Sequence, residues 1–206
     1  MASAGLRAAL PESDHSFNIA QNPLRQDFTA NASNQKWAGD IAYIWTREGW
    51  AYLAVTLDLY SRRVIGWVLS NRMKQDLALR ALDMAVAIRR PPPGCIHHTG
   101  HGAQYCAREY QKPLRKHELA PSMSGKGNCF EKPASISRFA LQIACRATVE
   151  GFYKSLEAEL IRRRTWQTRR EVELAVFECI NGFYNSHRRH SGIGWKSPVA
   201  FEKTAA

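Results

Sequence analysis

Residues 37–70 read WAGDIAYIWTREGWAYLAVTLDLYSRRVIGWVLS, from Trp37 to Ser70, and this stretch decides the fold. β-Branched and aromatic residues fill three runs, Trp37–Trp45, Trp50–Tyr60 and Val64–Ser70, as suits a pleated sheet. Thr46-Arg47-Glu48-Gly49 and Ser61-Arg62-Arg63 supply the turns between them. Connections this short join antiparallel neighbours, because parallel strands need a long crossover. The spacing therefore predicts a three-stranded meander. Its first strand carries a lone carboxylate, Asp40, among Ile41, Ala42, Tyr43 and Ile44. A buried carboxylate needs a partner, and a metal ion is one of the few good ones. An edge aspartate facing solvent fits the same spacing.

Downstream, Gln75–Arg90 reads as a helix, with Leu77, Leu82, Ala85 and Val86 at helical spacing and Pro91-Pro92-Pro93-Gly94 ending it. Cys95–Thr99 is a short strand. Gln104–Glu118 is a helix that Pro113 should kink or delay, and Leu119–Ser124 is a fifth strand. Ser124–Asn128 is a mobile loop by composition, and Ser135 is placed to cap a short helix with Ile136, Phe139 and Ile143 inward. Val149, Tyr153, Leu156 and Leu160 make the buried stripe of a helix over Thr148–Ile161, with Glu150, Lys154 and Glu157 in a polar row beside it. Thr168-Arg169-Arg170-Glu171 is a capping box opening a long last helix, with Val172, Val176, Ile180 and Phe183 inside. Three antiparallel strands followed by alternating helices and strands predict an α/β layered domain with a five-stranded mixed sheet and helices on both faces. That is the element order of the ribonuclease-H-like fold.

Composition bounds the function. Lys and Arg total 29 against 18 Asp and Glu in 206 residues, a net charge of +11 spread over the body of the chain. A polyanion, DNA or RNA, is the partner this charge implies. No apolar run reaches membrane-spanning length, and the first residues lack a signal-peptide core. The five cysteines are odd in number and scattered without a CxxC pair, which fits reduced thiols in a cytosol. The expected organisation is a flexible leader at 1–33, one core domain at 34–190 and a C-terminal tail at 191–206.

Several ordered blocks carry a resemblance. They are Asn34–Ile44, Leu57–Trp67, Pro121–Cys129, Glu150–Leu156, Phe183–Asn185, Arg188–Ser191 and Ser197-Pro198. Together they resemble the integrase catalytic core of IS3-family insertion-sequence transposases, over nearly the whole chain. The resemblance implies a ribonuclease-H-like fold and a DDE-type nucleotidyltransferase that nicks DNA at element ends and joins the 3′ hydroxyl to a target strand. It also implies Mg2+ or Mn2+ as cofactor, DNA as substrate, assembly with other transposase subunits, no membrane, and a cytoplasmic, nucleoid-associated location. Carried over by position, Asp40 matches the first acid and Glu150 the last, both as metal ligands. Lys154 matches a helix lysine that touches DNA; an i,i+4 partnership with Glu150 is the plainer role. Lys126, Arg188, Arg189 and His190 complete the expected DNA contacts, beside a Trp195 and Phe201 able to fold back and pack.

Two departures qualify the match. The family places its second acid after a His-His-Ser or His-His-Thr run, whereas this chain reads His97-His98-Thr99-Gly100. Glycine offers an ion nothing but backbone, so catalysis is expected to be weak or absent. The gap from Gly100 to Glu150 is also longer than the family pattern, the surplus falling as an atypical insert at about 131–146. Among substitutes for the missing acid, His97, His98 and His101 with Cys95 and Cys106 hint at a zinc site. However, neighbours on a strand point to opposite faces, so His97 and His98 do not readily share an ion. Asp58, the other candidate, is expected to be structural. A non-catalytic DNA-binding or multimerising remnant is the alternative function.

Overall fold

The computed structural model describes residues 6–8, 29–100, 103–123 and 136–205, with backbone alone for 6–8, 75, 103 and 136–147. The meander is present as β2 (Lys36–Thr46), β3 (Gly49–Asp58) and β4 (Val64–Ser70), after a short β1 (Leu6–Ala8). Helix α1 (Gln75–Arg89) leads to β5 (Ile96–Thr99), α2 (Ala103–Cys106), α3 (Arg108–Lys116) and β6 (Ala120–Met123). Then follow α4 (Ile136–Glu159), α5 (Arg169–Phe177) and α6 (Pro198–Ala205). The sheet runs β4-β3-β2-β5-β6. The meander is antiparallel, while β5 and β6 are parallel to β2, so the sheet is mixed as the element order requires. Strand β2 is longer than β5, and β1 pairs antiparallel with its Ala42–Ile44 segment. That covers an otherwise open edge.

Alternation along the strands sorts the apolar residues into two cores. Trp37, Ile41 and Ala54 meet Leu77, Ala81 and Leu82 of α1 and Tyr110 and Leu114 of α3. Ala38, Ala42 and Ile44 meet Val149, Phe152 and Leu156 of α4 and Val172 and Val176 of α5. Helices therefore cover both faces.

Three details depart from the spacing. The helix expected at Gln104–Glu118 is two, α2 and α3, because Ala107 adopts extended backbone (φ −62°, ψ 142°); its main part thus starts late, ahead of Pro113. The backbone of α4 is continuous from Ile136, so helix reaches back through most of the expected insert; residues 131–135 lie outside the described ones. The cap holds on one side of the expected box: Thr168 Oγ1 accepts from Glu171 N at 3.1 Å, whereas Glu171 Oε2 accepts from Gln167 N, one residue before the cap, at 3.0 Å. Beyond α5, however, the chain winds as a π-helix over Glu178–Tyr184. The wider turn moves the buried stripe to Val172, Val176, Ile180 and Tyr184, and Phe183 faces out.

Candidate active site at the central strand

Asp40 shares the parity of Ala38 and Ala42, and so the sheet face covered by α4. It is half-buried, and its Oδ1 accepts from Ile41 N at 2.8 Å. The contact that places α4 is polar. The Tyr153 hydroxyl lies 2.9 Å from the Asp40 carbonyl oxygen and 3.2 Å from that of Leu53, donating to both in turn. Glu150 lies one helical turn before Tyr153. The two acids predicted from sequence are thus carried by segments that touch. Glu150 is 45% exposed, with Lys154 Nζ 3.9 Å from its Oε2, the expected i,i+4 pair. Lys154 itself is 78% exposed, which leaves its ammonium open to a phosphate.

Gly100 lies directly after β5, the strand next to β2. Thr99 pairs with Gly39 at the end of the parallel ladder, so Gly100 follows β5 just as Asp40 follows Gly39 in β2. A Cβ placed on Gly100 meets nothing within 4 Å among the described residues. The first atom of a side chain there would therefore have room among those residues. Asp40 and Glu150 supply hard oxygen donors of the kind magnesium takes, whereas Gly100 offers only backbone.

The neighbouring histidines do other work. His97 is buried on the α3 face with Nε2 2.7 Å from the Tyr110 hydroxyl, and His98, on the opposite face, has Nδ1 2.9 Å from Ser122 Oγ. No group of three or more His, Cys, Asp or Glu is placed to hold a metal among the described residues, so the zinc cluster is not assembled there. His101 lies outside them. The described cysteines, Cys95, Cys106 and Cys179, are free thiols. Burial, with His98 adding to it, pushes His97 down to about 3, and burial pushes His98 down to about 4. Both rings are neutral when folded and titrate near 6.5 when unfolded, so the unfolded chain binds more protons between those values. The stability they contribute is complete above about pH 6.5 and falls as pH drops toward 4. Melting curves from pH 7 to 4 check this: His98→Asn should flatten the decline, and an unchanged slope would contradict it.

Asp58 is structural, as expected. It is fully buried and accepts from Asn34 N at 2.8 Å, Tyr60 N at 2.9 Å and Arg89 Nη2 at 3.1 Å. Arg89 also bonds Glu202, which Arg63 and Ser61 hold in turn. Helix α6, within the stretch set apart as a tail, is thereby docked to the core. Phe201 packs on Tyr60, but Trp195 is 70% exposed and does not fold back as the sequence suggested. It follows a Gly194 in the left-handed region and has φ 58° itself, which turns the indole outward. Of the expected DNA contacts, Lys126 lies outside the described residues, and Arg189 is exposed. Arg188 instead pairs with Glu159 at the end of α4. His190 packs edge-on against Tyr184, and burial with nearby Arg188 and Arg62 pushes it down to about 4. Sequence spacing pointed to neither Tyr153's bond nor the Glu202 network. No described helix is long and apolar enough to cross a membrane.

Two models of the integrase core domain match the chain, at residues 30–129 and 150–205. Transposase InsF of insertion sequence IS3A from Escherichia coli K12 is 45% identical over 188 residues, covering 91% of this chain and 60% of that protein. The transposase of IS904 from Lactococcus lactis is 40% identical over 182 residues, covering 88% of this chain and 66% of that protein. The chain thus spans about three-fifths of the length of the IS3 relatives it matches. The HTLV-2 integrase catalytic core domain, solved in complex with magnesium in a trimeric form, has the same fold. Its TM-score is 0.58 at 14% identity, covering 84% of this chain and 99% of that one. A simian T-cell lymphotropic virus intasome structure with PP2A regulatory subunit B56 gamma gives 0.55 at 15% identity, covering 97% of this chain and 61% of that one. The sheet is accordingly that of the ribonuclease-H-like fold, and the chain belongs to the IS3 family of insertion-sequence transposases, whose integrase core domain it carries.

Proposed function

We propose that this chain is the catalytic core of a transposase that cuts DNA at element ends and joins them to target DNA, and that Gly100 cripples it. The observation that carries this reading is the contact of Tyr153 with the Asp40 carbonyl, which sets the Glu150-bearing turn of α4 on the Asp40-bearing strand. Membership of the integrase-core family implies use of a divalent metal. Asp40 and Glu150 would hold Mg2+ or Mn2+, and a bound ion would neutralise charge at the phosphate and help activate the attacking oxygen. Lys154, Lys126, the exposed Arg189, Arg188 and His190 are the residues that would meet DNA phosphates. Such contacts position DNA without reading its sequence and weaken with salt. DNA ends, target DNA and further transposase subunits are the partners, in the bacterial cytoplasm at the nucleoid. The chain divides into a leader at 1–33, the core at 34–190 with its insert at 131–146, and the segment 191–206.

A second reading, a non-catalytic DNA-binding or multimerising remnant, is favoured by the glycine at position 100. A strand-transfer assay with Mg2+ or Mn2+ separates the two. The unaltered chain is expected to give no detectable joining, and brisk joining would overturn the impairment. Gly100→Asp is expected to restore activity if the missing carboxylate is the sole defect, since a side chain has room there. Continued silence would place a second defect in the insert.

A further inference from the structure

We propose that Tyr153 is a positioning residue whose hydroxyl sets the separation of Asp40 and Glu150 by tying α4 to the Asp40 peptide. The assignment rests on the metal reading of those two acids. Phe152, beside it, is also buried and packs edge to face on Tyr184 without a hydroxyl of its own, so packing on this face does not require a phenol. Burying a hydroxyl is costly unless it is hydrogen-bonded. Here it is satisfied by two main-chain oxygens, on β2 and on β3, at 2.9 and 3.2 Å. One of them belongs to the first acid itself.

The geometry explains why that bond matters. Val149, Phe152 and Leu156 press α4 onto the sheet, but apolar contact is non-directional and does not fix how far the helix slides along β2. A hydrogen bond is directional and short-ranged, so it pins that slide. Glu150 and Tyr153 are i,i+3 neighbours on one flank of the helix, and what fixes one fixes the other. Asp40 is held at the same time, since its own Oδ1 accepts from Ile41 N. The hydroxyl touches no reacting atom; it acts through the acids it spaces.

The test is Mn2+ binding, followed by electron paramagnetic resonance of free Mn2+, on the full chain carrying Gly100→Asp. Adding Tyr153→Phe is expected to weaken Mn2+ binding about tenfold or more while the fold, followed by near-UV circular dichroism, is retained. Glu202→Gln in the same background is the stability control. It loosens a remote network and is expected to leave Mn2+ affinity within about twofold. Equal Mn2+ affinity with and without the hydroxyl would overturn the positioning role alone, and so would an equal loss in the Glu202→Gln control. A Gly100→Asp parent that binds no Mn2+ would overturn the metal reading and this assignment with it. Should Tyr153→Phe fail to fold, Tyr153→His, which can still donate to the carbonyls, must recover Mn2+ binding for the proposal to stand.

Discussion

Gly66→Val is expected to leave the chain largely unfolded, and Gly66→Ala to cost about 3 kcal/mol or more, at the upper end of overpacking effects. Gly66 lies in β4 directly beneath α1. A Cβ there would stand 2.1 Å from the Ala81 carbonyl oxygen, 2.9 Å from Ala85 N and 3.0 Å from Ala85 Cβ. The first two are helix backbone, which cannot swing aside as a flexible side chain does. The whole helix must lift off the strand, exposing Leu77, Ala78, Ala81 and Leu82, all buried in the present packing. Interiors are close-packed, so the strain does not dissipate locally. Urea denaturation of the alanine variant checks the figure. A midpoint matching the parent would mean that α1 does not sit this close to β4.

Asp58→Ala should be comparably severe, at about 3–5 kcal/mol, because it removes one partner of a buried ion pair and leaves the other behind. Arg89 would keep Glu202 but lose Asp58, while the Asn34 and Tyr60 amides would lose their acceptor. Asp58→Asn keeps the shape and an acceptor and is expected to cost distinctly less. Burial pushes the Glu202 carboxyl up, but hydrogen bonds from Arg89, Arg63 and Ser61 outweigh it and hold the group below its ordinary value. Its contribution is therefore present above the ordinary carboxylate range and lost as pH falls through the lowered value. Glu202→Gln should accordingly lessen the acid sensitivity of folding. Thermal melts of Asp58→Ala, Asp58→Asn and Glu202→Gln at pH 7 and pH 4 separate these effects. Equal melting of Asp58→Ala and parent would refute the structural role.

Features set by local geometry were readable directly. The strands follow from alternation and short turns, and the helix after Thr168 from its cap. The close approach of α1 to Gly66 was not read from the strand, because it depends on where the helix packs. The expectation of acids at 40 and 150 came from ordered family blocks, and so did that of an acid where Gly100 stands. The π-helical stretch was not readable, because a 3.6-residue period places Phe183 inside, while a wider turn buries Tyr184. The Trp195 exposure was hidden as well, since it depends on two consecutive left-handed residues at 194 and 195.

By itself the sequence determined the meander, the mixed α/β order and the basic charge, since these depend on residue type and near-neighbour spacing. Only the tertiary structure decided that Tyr153 bonds the Asp40 peptide, 113 residues away, and that Glu202 reaches Arg89 across 113 residues. Periodicity says which side of an element is apolar, but it carries no information about which distant group meets a given polar atom. That is settled when the layers pack, because each buried donor and acceptor must find its partner there or stay costly.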